Sequence, residues 1–142
     1  MGTDGAVLTY DKMIDAVYEM HLDNAADPTA MIMHPRTAAY MAKMTTGTGE
    51  WLPMPPMLAN VPVLRTTAAP IDEVQGEADN ASSIVFGDFR HLFIGVRDEM
   101  QITIMRERYA DYGQIGFLCW MRADVQLAHK ASFSRLKGII PA

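Results

Sequence analysis

Apolar residues near the start of the chain recur at helical intervals. Five of them define one stripe that we expect to be buried: Met13, Ile14, Val17, Tyr18 and Leu22. Thr9 precedes this stripe as a candidate N-cap, and Asp11 falls in the first turn, where a negative charge is favourable. Because the turn-forming residues 23–28 follow, the pattern predicts one helix that begins after Thr9 and ends before this turn.

A short apolar run and a proline predict a strand-to-helix corner. Residues 30–33 are apolar and favour a buried strand. Pro35 suits the first position of a helix, because its missing N–H has no intrahelical partner there, and it disfavours helical geometry at His34. We therefore expect the strand to stop at His34 and a helix to run from Pro35 to about Met44.

Residues 50–60 combine Trp51 with three prolines, Pro53, Pro55 and Pro56. Proline disrupts helix interiors and central strands, so this segment is predicted to be neither. Long irregular connections often carry binding or assembly contacts. The segment is therefore a candidate for contact with another subunit.

The second half of the chain is dominated by runs typical of strands. Six are predicted, at residues 61–66, 83–86, 91–96, 100–105, 115–121 and 125–129, and a last short element follows near residues 133–136. Residues 72–82 are polar and acidic, and they predict a surface loop. Helices early and strands late favour an α+β fold with mostly antiparallel pairing.

Length and charge limit the classes of protein that the chain can be. Its 142 residues suggest one domain, and its net charge of −5 argues against tight nucleic-acid binding by the chain as a whole. No apolar run reaches the roughly 18 residues of a membrane span, and residues 1–5 lack the features of a signal peptide. Cys119 is the single cysteine, which excludes an internal disulfide. These features fit the cytoplasm, with residues 1–8 as a loose leader or cloning remnant.

Methionine is unusually abundant, with 12 residues in the chain. Its flexible side chain fills irregular gaps in a core and also adapts to partner surfaces. Core filling and an adaptable subunit interface both explain this abundance.

The reactive side chains form no recognisable catalytic or metal-binding motif. No two of the four histidines, His21, His34, His91 and His129, have the i, i+4 spacing of a helical metal site. Cys119 lies in an apolar run, so we expect it to be buried and inert. The sequence predicts no catalytic residue, no cofactor and no metal site. A small enzyme that uses His91 or His129 stays open as an alternative.

Opposite charges are closely mixed between residues 88 and 111. Such a segment is either a solvated hairpin edge or a subunit boundary, where opposite charges set register and partner choice. Together with the proline-rich connection, it supplies our candidate subunit contacts. These are Trp51, Pro53, Met54, Pro55, Pro56, Arg90, Arg97 and Arg106.

Several short motifs follow one another in a characteristic order between about residues 9 and 138. They are His-Pro-Arg-Thr at 34–37, a glycine turn at 47–52, Leu-Ala-Asn-Val-Pro-Val at 58–63, Phe-Gly-Asp-Phe-Arg at 86–90, and closing segments at 122–125 and 127–133. In this order, they resemble the C-terminal half of the major capsid protein of tailed phages, the Hong Kong 97 family. Each motif is weak alone, and the shared order carries the resemblance.

The resemblance implies a fragment of the Hong Kong 97-type capsid fold. About two helices would pack on a mostly antiparallel sheet, next to the long strands of a peripheral domain. After the leader at 1–8, residues 9–82 would belong to the axial domain and residues 83–121 to the peripheral strands. Residues 122–142 would return to the axial domain.

The resemblance also implies a structural role without catalysis. Copies of a truncated phage or prophage capsid protein would assemble into pentamers and hexamers of an icosahedral head. Expected partners are the chain itself and, in a full-length context, other capsid, scaffold or portal proteins, with no specific nucleic acid and no membrane. The expected location is the virion, and the host cytoplasm before assembly. An encapsulin-like cellular shell protein is the alternative within the same fold.

Family subunits are much longer than this chain, with an N-terminal arm, an extended loop and a spine helix that do not fit before Thr9. Without the spine helix, we expect exposed apolar surface on the strands between His91 and Met121, and self-association of the fragment through that surface or through the methionine-rich helices. Self-crosslinking members carry an asparagine and a glutamate where the alignment places Ile115 and Arg122 here. We therefore expect no covalent crosslink, so that assembled chains separate on a denaturing gel.

Overall fold

Helix α1 (Tyr10–Leu22) begins directly after Thr9, as predicted. The computed structural model describes residues 2–141. The buried side of α1 consists of Tyr10, Met13, Ala16, Val17 and Met20. Two members of the predicted stripe are on the surface, since Tyr18 is 55% and Leu22 59% exposed. Met13 and Val17 are buried as predicted, and Ile14 packs against the core, so the prediction is wrong only for Tyr18 and Leu22.

The proline corner forms as the sequence predicts. Strand β1 (Ala30–Met33) stops before His34, and α2 (Pro35–Ala42) begins at the proline. His34 is the N-cap, and its Nδ1 atom accepts a hydrogen bond from the Arg36 N–H at 3.0 Å. The helix ends two residues before the predicted Met44.

The proline-rich connection contains one short helix, contrary to the prediction. Helix α3 (Pro56–Ala59) starts at Pro56, whose missing N–H needs no partner at the first helical position. Leu58 is fully buried and fixes this turn against the core. Strand β2 (Val63–Arg65) follows within the predicted run 61–66.

The polar segment 72–82 was expected to be a loop, and this expectation is wrong. It forms strand β3 (Glu73–Gln75) and the first part of strand β4 (Ala78–Gly87), which pair antiparallel. Gly76 has a positive φ of 62°, which suits the tight turn between them. Polar side chains stabilise this hairpin, because Glu73 accepts hydrogen bonds from Ser83 and Arg135.

Strand β4 is the centre of a five-stranded sheet with the order β2-β1-β4-β3, and β7 (Phe133–Ile139) also pairs with β4. The β1–β2 pair is parallel, whereas the pairs that involve β4 are antiparallel. Phe86 and Ile84 of β4 are fully buried. The mostly antiparallel α+β prediction is confirmed.

The core lies between this sheet and the helices, and methionine fills much of it. Five methionines are buried in one cluster: Met13, Met20, Met31, Met33 and Met41. The flexible side chain of methionine adapts to irregular gaps. Core filling therefore accounts for a large part of the methionine content.

The N-terminal residues form a structured edge, where the sequence predicted a loose leader. The Ala6 N–H donates to the Gly138 carbonyl at 2.9 Å, and the Ile140 N–H donates to the Ala6 carbonyl at 3.2 Å. Leu8 is only 2% exposed within the core. Pairing with the end of β7 thus orders this segment, while Met1 lies outside the described residues.

Two long strands form a separate ribbon. Strands β5 (Leu92–Met105) and β6 (Gly116–Leu127) pair antiparallel in a two-stranded sheet. Each merges two runs that were predicted separately. Register shifts between Val96 and Gln101 allow β5 to continue through its charged middle.

The chain divides into two units at boundaries that differ from the predicted ones. The first unit contains residues 2–91 and 129–141 of the described chain, and the second contains Leu92–Ala128. Residues 83–87 belong to the first unit because they pair with β1 and β7, not with the ribbon. Residues 122–127 belong to the second because they pair with β5. The assignment of residues 9–82 and 122–142 to an axial domain and of residues 83–121 to a peripheral domain stays a prediction.

Candidate assembly surfaces

The second unit presents an extended apolar face. Directly opposed residues of an antiparallel pair point to the same face, and successive residues alternate between faces. Five opposed pairs place apolar side chains together: Leu92–Leu127, Ile94–Val125, Val96–Ala123, Ile102–Cys119 and Ile104–Phe117. We call this set the apolar ribbon face.

The two register shifts leave the apolar ribbon face continuous. Each shift inserts one residue into β5, the first between Val96 and Asp98 and the second between Asp98 and Gln101, while β6 continues without an insertion. One insertion would move the following side chains of β5 to the other face, and the second insertion moves them back. The even-numbered residues of β5 therefore stay opposite the odd-numbered residues of β6 at both ends of the ribbon.

Side chains of the apolar ribbon face are largely exposed. Ile94 is 67% and Phe117 65% exposed, and Ile102 is 59% exposed. Cys119 is also exposed, which contradicts the predicted buried thiol, because no element within the second unit covers this face. Contiguous exposed apolar surface marks an interaction site, and an isolated two-stranded hairpin is marginally stable. The apolar ribbon face is therefore a candidate interaction surface.

The opposite face of the ribbon is mixed in character. Gln101 opposes Trp120, and Thr103 opposes Leu118. The Arg122 guanidinium lies 5.4 Å from the centre of the Trp120 ring and 3.8 Å from an Asp98 carboxylate oxygen. The charged side chains of this face thus have partners within the ribbon. The apolar ribbon face is therefore the stronger candidate for association.

Trp51 projects from the first unit on a small turn. Thr45 and Trp51 form an isolated antiparallel bridge, and the Leu52 N–H donates to the Met44 carbonyl at 3.0 Å. These bonds tie the turn to the end of α2 and hold the indole 71% exposed. A large, positioned aromatic side chain in solvent is typical of a contact residue.

The neighbouring candidates divide between anchors and surface residues. Met54 packs against the core, and Pro55 is half-buried as the N-cap of α3. Pro53 and Pro56 are exposed. The segment thus has a fixed base and an exposed outer side, of which Trp51 is the most prominent part.

The three candidate arginines are exposed, and they belong to different units. Arg90 belongs to a short 3-10 helix of the first unit, and its N–H donates to Asp88 Oδ1 at 3.1 Å. Arg97 lies in the shifted part of β5, and Arg106 follows the end of that strand. Both belong to the second unit. Their role in subunit contact stays a prediction.

The two histidines of the enzyme alternative lie together. The His91 and His129 rings are edge to face at 5.3 Å, and His91 Nε2 is 3.7 Å from Asp88 Oδ2. His91 ends a 3-10 helix and His129 caps another, so neither lies within a strand as the sequence predicted. The buried Asp88 also accepts the Arg90 N–H. These contacts are typical of structural packing within the first unit.

The described residues form neither a metal centre nor a membrane-spanning helix. Among residues 2–141, no group of three or more His, Cys, Asp or Glu side chains is placed to hold a metal ion. Within the same range, no helix has the length and apolar character needed to cross a membrane.

The model of one protein family, described as the phage capsid family, matches residues 1–138. The chain belongs to the phage capsid family. The match covers both units and includes every motif that suggested the resemblance. The likeness found in the sequence is therefore confirmed.

Solved structures show that this capsid family chain has the Hong Kong 97-type fold. The capsid protein of a native GTA particle is 23% identical, with a TM-score of 0.69 over 99% of this chain and 48% of its own. A Mycobacterium phage Ogopogo protein is 15% identical, with a TM-score of 0.65 over 95% of this chain and 53% of its own. The encapsulin SrpI of Synechococcus elongatus PCC 7942 is 11% identical, with a TM-score of 0.62 over 94% and 50%.

The phage capsid chain spans about half the length of the solved proteins that it matches. None of the curated proteins compared with it matches. The comparisons therefore establish the family and the fold.

Two features of these surfaces were missed in the sequence. The first is the alternation along β6, where Phe117, Cys119, Val125 and Leu127 share one face with Ala123. This period of two was visible, but Leu118 and Trp120 on the other face made the first half of the strand look uniformly apolar. The second is the exposed stripe of α1, which the helical pattern assigned to the core.

Proposed function

We propose that the chain is the shell-forming C-terminal part of a phage-type capsid protein. The single observation that carries this proposal is the match to the phage capsid family over residues 1–138. A shell protein acts through shape and mutual contact, and many modest contacts together give a stable particle. The exposed apolar ribbon face and the positioned Trp51 supply such contacts.

Within this proposal, the first unit is the axial domain, whose copies meet around five-fold and six-fold axes, and the second unit belongs to the peripheral domain. The partners are further copies of the chain and, in a longer protein, other capsid, scaffold or portal proteins. The protein would reside in the virion and, before assembly, in the host cytoplasm. No catalytic step is required of any residue, and no covalent crosslink is expected at Ile115 or Arg122.

The proposal predicts self-association of the purified chain. Closing a ring requires contacts between two different surface patches of each copy. An extended exposed apolar face is typical of a surface that binds a partner. Multi-angle light scattering should show a molar mass that rises with concentration above the 15.8 kDa of one chain. A strict monomer at high concentration would contradict the proposal.

Replacing Trp51 by alanine should weaken association without unfolding the chain. The indole is 71% exposed, so its removal should change the free energy of unfolding by about 0.5 kcal/mol or less. A contact residue of this type contributes about 2 kcal/mol or more when a partner covers it, which is more than a tenfold change in affinity. Sedimentation velocity measures the change.

The Val74→Ala variant is a suitable control, since Val74 is 76% exposed on β3 and is not among the candidate contacts. It should associate like the wild-type chain. Unchanged association of the Trp51→Ala variant would remove Trp51 from the contact surface.

An encapsulin-like cellular shell protein is the alternative within the same fold, to which SrpI is similar. Because that likeness is only 11% identical, it supports the fold alone. Neighbouring genes separate the two cases: portal and protease genes support a phage head, and a cargo-enzyme gene supports a cellular shell.

A further inference from the structure

The outer side of α1 carries an apolar stripe with an acidic border. Ile14, Tyr18 and Leu22 are spaced four residues apart and lie along one side of the helix. Tyr18 and Leu22 are more than half exposed, whereas Ile14 packs against the edge of the core. Tyr18 and Leu22 are therefore surface residues of the first unit, not core residues.

Three carboxylates border this stripe: Asp11, Asp15 and Glu19. All three are exposed, and Asp15 lies one turn before Tyr18 while Glu19 lies one turn before Leu22. Among residues 2–141, none of the three carboxylates forms an ion pair. Lys12, the one lysine of the helix, donates to the Val7 carbonyl at 3.1 Å. We call this surface the acidic face of α1.

The outer side of α2 has the complementary character. Arg36, Ala39 and Lys43 follow at helical spacing, and α2 contains no acidic residue. Arg36 donates to the carbonyls of Ile71 and Asn80, so its positive charge is not neutralised by a carboxylate. Ala39 and Lys43 are exposed. We call this surface the basic face of α2.

Shape complements charge on these two faces. The acidic face has large protruding side chains, Tyr18 and Leu22, whereas the basic face has the small exposed side chains of Ala39 and Ala42 between its cations. Large side chains of one helix fit where small side chains of another leave space. Opposite charges at the border favour this pairing and disfavour the pairing of two like faces.

We propose that the acidic face of α1 in one copy packs on the basic face of α2 in the next copy. The occupant of each face is therefore a second copy of this chain, and the proposal rests on the shell function above. Because the two faces differ, the contact is head-to-tail and each copy can bind two neighbours. Both faces belong to the first unit, so the contact needs no particular arrangement of the second unit.

Charge reversal on either face tests the pairing. One variant carries Asp15→Lys and Glu19→Lys, and the other carries Ala39→Glu and Lys43→Glu. Each variant alone would place like charges opposite each other, so we expect its self-association to weaken by about tenfold or more. In a 1:1 mixture, each altered face meets a face of opposite charge on the other variant. The affinity in the mixture should then be within about threefold of the wild-type affinity, because the like-charge repulsion that weakens each variant alone is absent between the two variants.

The measurement is fluorescence-detected sedimentation velocity of the full chain, with the two variants carrying different labels. The matched control is a charge reversal elsewhere, Glu77→Lys with Lys137→Glu, at two exposed positions outside both faces. Circular dichroism melting checks that each variant is folded, and the mixture itself shows that both variants can still bind.

Three results would overturn the inference. The reversed variants could associate like the wild-type chain, the mixture could fail to recover, or the control reversal could weaken association equally. In each of these cases, the shell proposal stands as long as the wild-type chain still associates. A wild-type chain that stays monomeric contradicts both.

Discussion

Polar substitution of the apolar ribbon face should weaken self-association by about a thousandfold. The proposed variant replaces Ile94, Val125, Ile104 and Phe117 by serine, which removes two opposed pairs near the two ends of the ribbon. These side chains are 52–67% exposed, and covering that remaining surface is worth about 1 kcal/mol for each side chain. Their sum of about 4 kcal/mol corresponds to about three powers of ten in affinity.

The measurement is the dissociation constant from sedimentation velocity over a dilution series. Thermal unfolding of the first unit should not change, because none of the four residues belongs to it. A matched control replaces Gln101, Thr103 and Gln126 by serine on the other face of the ribbon, where little apolar area is lost. Equal effects of both sets of substitutions would show that the apolar ribbon face is not the surface that associates.

Truncation of Phe86 should be the most damaging single change to the fold. Phe86 is fully buried in β4, opposite Met31 of β1 and Ser134 of β7. Phe86→Ala removes a large side chain from the hydrophobic core and leaves a cavity, which costs about 3–5 kcal/mol of unfolding free energy. This is a large fraction of the roughly 5–15 kcal/mol by which domains are stable.

Urea unfolding monitored by circular dichroism measures this loss, at a concentration where the chain is dissociated. Phe93→Ala is the matched control, since Phe93 is the same residue type but is 62% exposed on β5. Its cost should be about 0.5 kcal/mol or less. If the two variants were equally stable, the assignment of the core to the region around β4 would be wrong.

Local chemistry determined which elements could be predicted from the sequence. The β1–α2 corner was predicted correctly because Pro35 restricts both its own backbone and that of His34, independently of the rest of the chain. The start of α1 after Thr9 was predicted for a similar local reason. Tertiary packing decided what failed, such as the exposure of Tyr18 and Leu22 on α1, whereas Met13 and Val17 of the same predicted stripe are buried.

Pairing partners were the main information that the sequence lacked. The polar β3–β4 hairpin is stabilised by Arg135 from a distant strand, and the N-terminal segment is ordered by Gly138 and Ile140. Charged residues interrupt the run of β5, and register shifts absorb them without ending the strand. Such long-range contacts leave no pattern within the segment itself.

The candidate site was predicted only in part. Trp51 was selected because long irregular connections often carry contacts, and the structure shows that its side chain is 71% exposed. Cys119 was misassigned because an apolar run usually indicates burial, whereas this run lies on a ribbon that nothing in its own unit covers. Once the structure shows that this apolar run of β6 is exposed, the run becomes a candidate surface for association.

The most direct test of the central claim is negative-stain electron microscopy of the purified chain at concentrations where it associates. If the chain forms part of a shell by head-to-tail contact, class averages should show closed rings with five or six copies around one axis. Uniform single chains, or aggregates without rotational symmetry, would contradict a wall-forming role.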